Sequence, residues 1–436
     1  MTKKDINTEQ ITDHSYFHSL ELEGVNCFKE RQTLDLSDGK GNYSPWTIIL
    51  GDNGTGKTTL LRVLGNHLIF HDFYNSEKFL NQKQPLNIII NNSGMYRKCG
   101  LIKFNFLYKN KKHYIALNSI DHTNIKELTF DLNKENHPFI LSYGASRRMS
   151  KNPSHFSSSY NKDKLSSLFD ESIELINAQE WYLQKFLAFS TSENGIKIKL
   201  EQQLSLIKQV LVDFLPDVLD LRIKEIKTVN DKSALEVQIN EKEWINLRDL
   251  SFGYQTLTAL IVDIASKMME QYPDSNNPLE EPVVVLIDEI DLHLHPKWQR
   301  TVIDKLSNHF PKAQFIATAH SPLIVQVAQD RNANIVVCRK EGDRSIIDNN
   351  PAVVKGWRID QILISDLFEV DSSRSPEIEK FISEKNDILS KSELLEDDKK
   401  RLKAINKTIS SIPNSTDKET LGAEDIIRRA AELLKK

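Results

Sequence analysis

The stretch Trp46-Thr-Ile-Ile-Leu50-Gly51-Asp-Asn-Gly-Thr-Gly56-Lys57-Thr58-Thr59 decides the fold. Its first five residues are apolar or β-branched, and the run is short, as a strand covered on both faces should be. From Thr58 the period changes: Leu60, Leu61, Val63, Leu64 and Leu68 recur with helical spacing, which predicts a helix from Thr58 to Phe70. Between strand and helix, Gly51-x-x-x-x-Gly56-Lys57-Thr58 matches a phosphate-binding loop. Glycines turn backbone N–H groups onto phosphate oxygens, and the positive end of the helix faces the same anions. Lys57 is placed to reach the β- and γ-phosphates, and the Thr58 hydroxyl to ligate Mg²⁺. Asn53, Gly54, Gly56, Lys57, Thr58 and Thr59 are the nucleotide-binding candidates.

A second apolar run, Val283-Val-Val-Leu-Ile287, ends in Asp288-Glu289. Carboxylates at the C-terminal end of a buried strand face the crevice where such sheets bind ligands. Asp288 is the metal candidate beside Thr58, and Glu289 is placed to polarise an attacking water. Taken alone, the pair would also fit a solvated strand end; the phosphate loop gives it weight. Thr318-Ala-His320-Ser-Pro322 closes another strand, and a histidine there can hydrogen-bond a γ-phosphate. Leu250-Ser251-Phe252-Gly253-Tyr254-Gln255 opens a helix, with Ser251 suited to its N-cap. By itself that is an ordinary cap. Its place between the phosphate loop and the Asp288 strand makes it a candidate anion contact.

Around these motifs the chain alternates strand and helix patterns, so the sheet is expected to be mixed and largely parallel. Strand patterns fall at residues 17 to 50, at 86–90, 101–106 and 113–117, at 139–144, in two or three short pieces over 221–247, and at 315–318 and 335–338. Helical patterns cover Leu165 to Leu219 with a break between Leu187 and Gly195, then 250–272, Trp298 to Phe310, 376–411 and 423–436. The Ser-rich stretch from Met149 to Asn161 predicts a loop. The expected organisation is an ATPase domain over 15–350, with a helical insertion at about 160–220, followed by a helical region over 351–436.

Composition narrows the class. With 39% hydrophobic and 27% charged residues, the chain reads as soluble and globular. A net charge of -4 argues against a generally basic nucleic-acid binder, though a local basic groove is compatible with it. Cys27, Cys99 and Cys338 are far apart, which suggests neither a zinc site nor a disulfide framework and fits a reducing cytosol. The start, Met-Thr-Lys-Lys-Asp-Ile-Asn, has no signal-like apolar stretch, and no run approaches a membrane span; a cytoplasmic location is expected. His293 and His295 stand near Asp291 without a third ligand, which favours packing or a dimer contact over a metal site.

The four motifs, in this order, resemble the ABC-type ATPases of the branch that includes RecF, SMC and overcoming-lysogenization-defect (OLD) proteins. Ser251, Gly253 and Gln255 match the signature motif, Glu289 the catalytic glutamate and His320 the switch histidine. The resemblance implies ATP and Mg²⁺ as cofactors. It also implies a homodimer or higher oligomer in which the signature of one copy meets the nucleotide on the other. Hydrolysis of ATP to ADP and phosphate would then be slow, because Glu289 acts only once a second copy closes the site. The chain departs from the pattern at the Q-loop, where no glutamine stands out. Tyr143-Gly-Ala-Ser-Arg147-Arg148 occupies that place, and its arginines read equally as a nucleotide or nucleic-acid contact and as a solvated pair.

The interval from Lys57 to Ser251 is too short for the long coiled-coil arms of SMC proteins. After residue 330 there is no Asp-x-Asp near a strand, as the appended nuclease domain of OLD proteins would need. Tyr143-Gly-Ala-Ser-Arg147, Leu250–Gln255 and Gly356-Trp-Arg-Ile-Asp-Gln-Ile-Leu363 resemble the PtuA-type ATPases of Septu and retron antiphage systems. That resemblance implies a separate HNH nuclease (PtuB-like) as partner and, in retron systems, a reverse transcriptase with its RNA–DNA product. The C-terminal helices would be assembly or docking surfaces, or a solvated cap. Two other readings stay open: a RecF-like DNA-repair ATPase, and a nucleotide-gated scaffold with little turnover.

Overall fold

The computed structural model describes residues 14–66, 99–109, 111–121, 124–130, 137–150, 167–215, 218–224, 234–239, 243–351, 353–368, 370, 372–391 and 395–410. The strand expected at 86–90, most of the loop expected at 149–161 and the helix expected at 423–436 lie outside them.

β1 (Tyr16–Glu23) and β2 (Gln32–Asp35) precede β3 (Trp46–Gly51), which runs into α1 (Lys57–Gly65). β4 (Cys99–Tyr108), β5 (Lys111–Asp121), β6 (Asn124–Phe130) and β7 (Ile140–Tyr143) follow. Then come α2 (Ala178–Thr191), α3 (Asn194–Phe214), β8 (Val218–Lys224), β9 (Ala234–Ile239), β10 (Glu243–Asn246) and the long α4 (Phe252–Gln271). The remainder alternates through β11 (Val283–Ile287), α5 (Pro296–Gln299), α6 (Val302–His309), β12 (Ala313–Thr318), α7 (Pro322–Asp330), β13 (Asn334–Glu341), β14 (Arg344–Asp348) and α8 (Ile359–Leu363). α9 (Pro376–Leu389) and α10 (Glu396–Ser410) follow.

The central sheet has the order β14-β13-β3-β12-β11-β7 and is parallel except at β14. The expected α/β fold with a mixed, largely parallel sheet is what forms. Its strands read as continuous apolar runs because both faces are covered. Ile48, Leu50, Val285, Ile287 and Phe315 enter one core with residues of α2, α3 and α4. Ile49, Val284, Leu286, Ile316 and Val336, one step out of phase, enter a second core with α1, β1 and β4. Each aliphatic side chain so buried stabilises the fold by about 1.5–3 kcal/mol.

The second core is capped by a sheet that the sequence patterns did not separate from the first: β2-β1-β4-β5-β6, wholly antiparallel. A third sheet, β10-β9-β8, is also antiparallel.

Three expected helices are redrawn. The segment 167–177 is turns and irregular chain, and Val218–Lys224 is a strand, so the helical hairpin is only α2 and α3; the predicted break falls at residues 192 and 193. The helix expected from Trp298 to Phe310 is two, α5 and α6. Pro296 opens the first, and the Thr301 hydroxyl donates back to the carbonyls of Lys297 and Trp298, which competes with the helix at that point. The helix expected over 376–411 ends at Leu389, with Ser390 as its C-cap, and resumes at Glu396.

The described residues form two compact units. One holds those up to Ile362 with Asp366–Phe368; the other holds Leu363–Ser365 and those after residue 368. In the second unit α9 and α10 are tied by Arg401, whose guanidinium donates to both Glu384 oxygens at 2.6 and 2.7 Å. No helix among the described residues is long and apolar enough to cross a membrane.

Candidate functional site

The strand order gathers the motifs. β3, β12, β11 and β7 are parallel neighbours, so their C-terminal ends share one edge of the sheet. The phosphate loop leaves β3, Ala319 and His320 follow β12, Asp288 and Glu289 follow β11, and Gly144 to Arg147 follow β7.

In the loop, Gly56 sits at φ 97°, and a Cβ there would lie 2.5 Å from the Cys27 sulfur and 2.6 Å from the Phe28 ring. Only glycine fits that backbone and that contact. Asn53 and Gly54 are exposed at the tip, while Thr58 and Thr59 are half-buried in the first turn of α1. Lys57 is buried, and its ammonium donates to the carbonyls of Gly51 and Asp52 at 2.7 and 2.8 Å. Burial pulls its pKa below the ordinary lysine range, while Cys338, Asp288, Glu289 and Asp52 oppose that shift.

The Asp288 carboxylate is buried between two hydroxyls. Thr58 donates to one oxygen at 2.8 Å and Thr318 to the other at 2.6 Å. The Thr318 oxygen also accepts the Glu289 backbone N–H at 2.7 Å. A hydroxyl and a carboxylate at the foot of a phosphate loop are the hard oxygen donors that suit Mg²⁺, whose other positions water and phosphate fill. The residues therefore fit the metal and nucleotide that the sequence implied.

Glu289 is half-buried and adopts φ 49°, the left-handed region that a residue with a side chain rarely enters. Arg147 accounts for part of that. Its guanidinium is buried and donates to the carbonyls of Gly144 (3.0 Å), Asp288 and Glu289 (2.8 Å). Burial lowers its pKa to about 10, opposed by Asp288, Asp291 and Glu289, so it stays charged at neutral pH. Neither reading of the arginine pair describes Arg147, which is buried and holds the backbone of the carboxylate pair, while Arg148 is exposed.

His320 is exposed at the end of β12, and its backbone N–H donates to Asp291 at 3.1 Å. Ser251 is the N-cap of α4 without a side-chain capping bond, and it is exposed with Phe252. Gly253 lies against the turn after Glu289: a Cβ there would meet the His293 carbonyl at 2.7 Å. Phe252 meets the His293 ring edge-on at 4.8 Å. The Gln255 amide donates to the Arg248 and Leu250 carbonyls, both at 2.8 Å, and so braces the loop before Ser251. Thr58, Asp288, Thr318, Glu289 and Arg147 thus form one bonded group, with Lys57 held beside it by the loop carbonyls. Among the described residues, no hydrogen bond joins Ser251 or Gly253 to it.

Sequence reasoning left Thr318 without a role and gave Arg147 a different one. Thr318 ends an apolar strand two residues before His320, which is the signal that could have found it. Arg147 was singled out by its place after β7, but as a ligand contact or a solvated residue and not as a brace for backbone.

Residues 47–326 match the family model described as "AAA domain, putative AbiEii toxin, Type IV TA system". The chain is 25% identical over 373 residues to the Septu protein PtuA of Bacillus mycoides, covering 84% of this chain and 47% of that protein. It is 28% identical over 370 residues to the retron Vc95 probable ATPase of Vibrio cholerae, covering 71% of each. The chain thus spans about half the length of the Bacillus mycoides relative. Among solved structures, the SMC head domain from Thermotoga maritima aligns at 14% identity and a TM-score of 0.42, over 77% of this chain and 99% of that one. The chain belongs to this AAA-domain family.

Proposed function

We propose that this chain is the ATP-binding and ATP-hydrolysing subunit of an antiphage defence complex, and that its nucleotide state controls a separate HNH nuclease. The observation that carries the nucleotide part is the Asp288 carboxylate held between the Thr58 and Thr318 hydroxyls beside Lys57. The named relatives support the defence setting.

In this reading the loop amides and Lys57 bind the phosphates, and the ammonium exchanges the Gly51 and Asp52 carbonyls for phosphate oxygens. Thr58 and Asp288 hold Mg²⁺, which when bound neutralises phosphate charge. The Glu289 carboxylate accepts the proton of the attacking water. His320, at the open end of β12, donates toward the γ-phosphate. Ser251 and Gly253 of a second copy close the site head to tail. The exposure of Ser251, and the absence of a described hydrogen bond from it to the bonded group in one chain, support that arrangement.

Purification from native cells tests the partner. An HNH nuclease retained on the chain, with or without a reverse transcriptase and its RNA–DNA, is the expected result. A chain that comes down alone, or only with replication and repair factors, overturns the nuclease part in favour of RecF-like loading at DNA.

A further inference from the structure

Arg147 is a buried cation whose hydrogen bonds among the described residues all go to backbone, and the segment that follows it leads away from the site. The Arg148 carbonyl accepts from Leu175 N–H at 2.8 Å, and Ser150 N–H donates to the Leu175 carbonyl at 2.9 Å. Asn177 donates to the Ser150 carbonyl at 2.7 Å and, through its side-chain oxygen, caps α2 at the Glu180 N–H. Glu180 in turn accepts from Arg248 at 2.7 Å. The Arg248 and Leu250 carbonyls are the two that Gln255 holds, and Ser251 comes next in the chain. A parallel tie runs through α4, where Asp263 accepts from the Tyr143 hydroxyl at 2.9 Å and from Ile176 N–H at 3.4 Å.

We infer that Arg147 is a positioning residue. It fixes the Glu289 backbone and, through residues 148–150, 175–177 and the Glu180–Arg248 pair, ties it to the loop that presents Ser251. The inference rests on reading Glu289 as the proton acceptor and Ser251 as the surface that meets a second copy. The planar guanidinium is suited to the task because its fork spans consecutive carbonyls, which an ammonium cannot do. Its bonds over-determine a left-handed residue that would otherwise relax. Any shift of the Glu289 carbonyl as the site fills then pulls on one bonded chain of elements that ends at the signature.

The Glu180–Arg248 pair is the place to cut it, since it is partly exposed and lies outside the nucleotide site. Glu180→Arg and Arg248→Glu, made singly in the full chain, are expected to weaken ATP-driven self-association about two- to thirtyfold. ATP affinity of the dispersed chain should be unchanged. The double reversal should restore most of the loss, which a general fault in folding would not do. Single variants that associate like the wild type, or a double variant as weak as the two losses combined, overturn the relay. A wild-type chain that binds ATP and never associates overturns the two-copy reading, and the relay with it. Arg147→Lys is the second measurement: turnover should fall while the ATP KM stays near wild type. Unchanged turnover would remove Arg147 from the relay.

Discussion

Asp288 is buried and held by two hydroxyls from different elements, whereas Ser251, at the head of α4, is exposed and makes no side-chain capping bond. The phosphate-loop side of the site is complete within one chain. Lys57, Thr58, Thr318 and Arg147 hold one another or the adjoining backbone. On the signature side only the support is internal: Gln255 braces the loop from behind, and Gly253 rests on the turn at His293. A polar group that needs a fixed geometry in every state is bonded at home. One proposed to act only on contact with a second copy is left facing out.

Lys57→Ala probes the complete side and should have the largest effect. The variant removes a buried cation from a site built for anions, a loss of about 2–5 kcal/mol and hence about thirtyfold or more in ATP affinity. Titration with a fluorescent ATP analogue measures it, and unchanged affinity would break the assignment of the loop. Glu289→Gln should leave that affinity within about threefold while turnover falls by about 10²- to 10⁴-fold, the contribution of a positioned base. Normal turnover in this variant would exclude Glu289 as the proton acceptor.

Ser251→Arg separates the two sides. Binding of ATP to the dispersed chain should match the wild type, because no described bond joins Ser251 to the phosphate loop. Association driven by ATP should drop by about thirtyfold, the loss at a well-buried contact. Light scattering at matched concentrations with and without ATP reads this directly. If the variant associates normally, the signature does not act across copies.

The same contrast explains what could be read from the sequence. β11 was legible to the residue, and the strand, loop and helix around Lys57 nearly so, because each is a local pattern with its own period. The sheet edge that gathers the motifs followed from strands alternating with helices. The antiparallel cap over α1 was not legible, since β1 pairs with β4 across a long sequence interval that no local pattern encodes. Nor was Arg147, because a buried arginine looks like a surface one until its carbonyl partners are in place. The split between α5 and α6 turns on one threonine hydroxyl bonding backward, and the apolar period runs straight through it.

The smallest effect concerns the support beneath the signature. Gly253 meets the His293 carbonyl so closely that an added Cβ would sit 2.7 Å from its oxygen and 3.2 Å from the Trp298 ring. The carbonyl is backbone and cannot swing away, so Gly253→Ala should cost about 1–3 kcal/mol of stability and tilt the start of α4. Gly195, near the start of α3, has nothing within 4 Å of the same added atom. There alanine should stabilise the helix by about 0.5–1 kcal/mol. Thermal unfolding of the two variants side by side gives opposite signs if the signature rests on the turn behind Glu289. Equal shifts would mean that α4 starts free of that turn, and the packing that links Gly253 to the carboxylate pair would have to be redrawn.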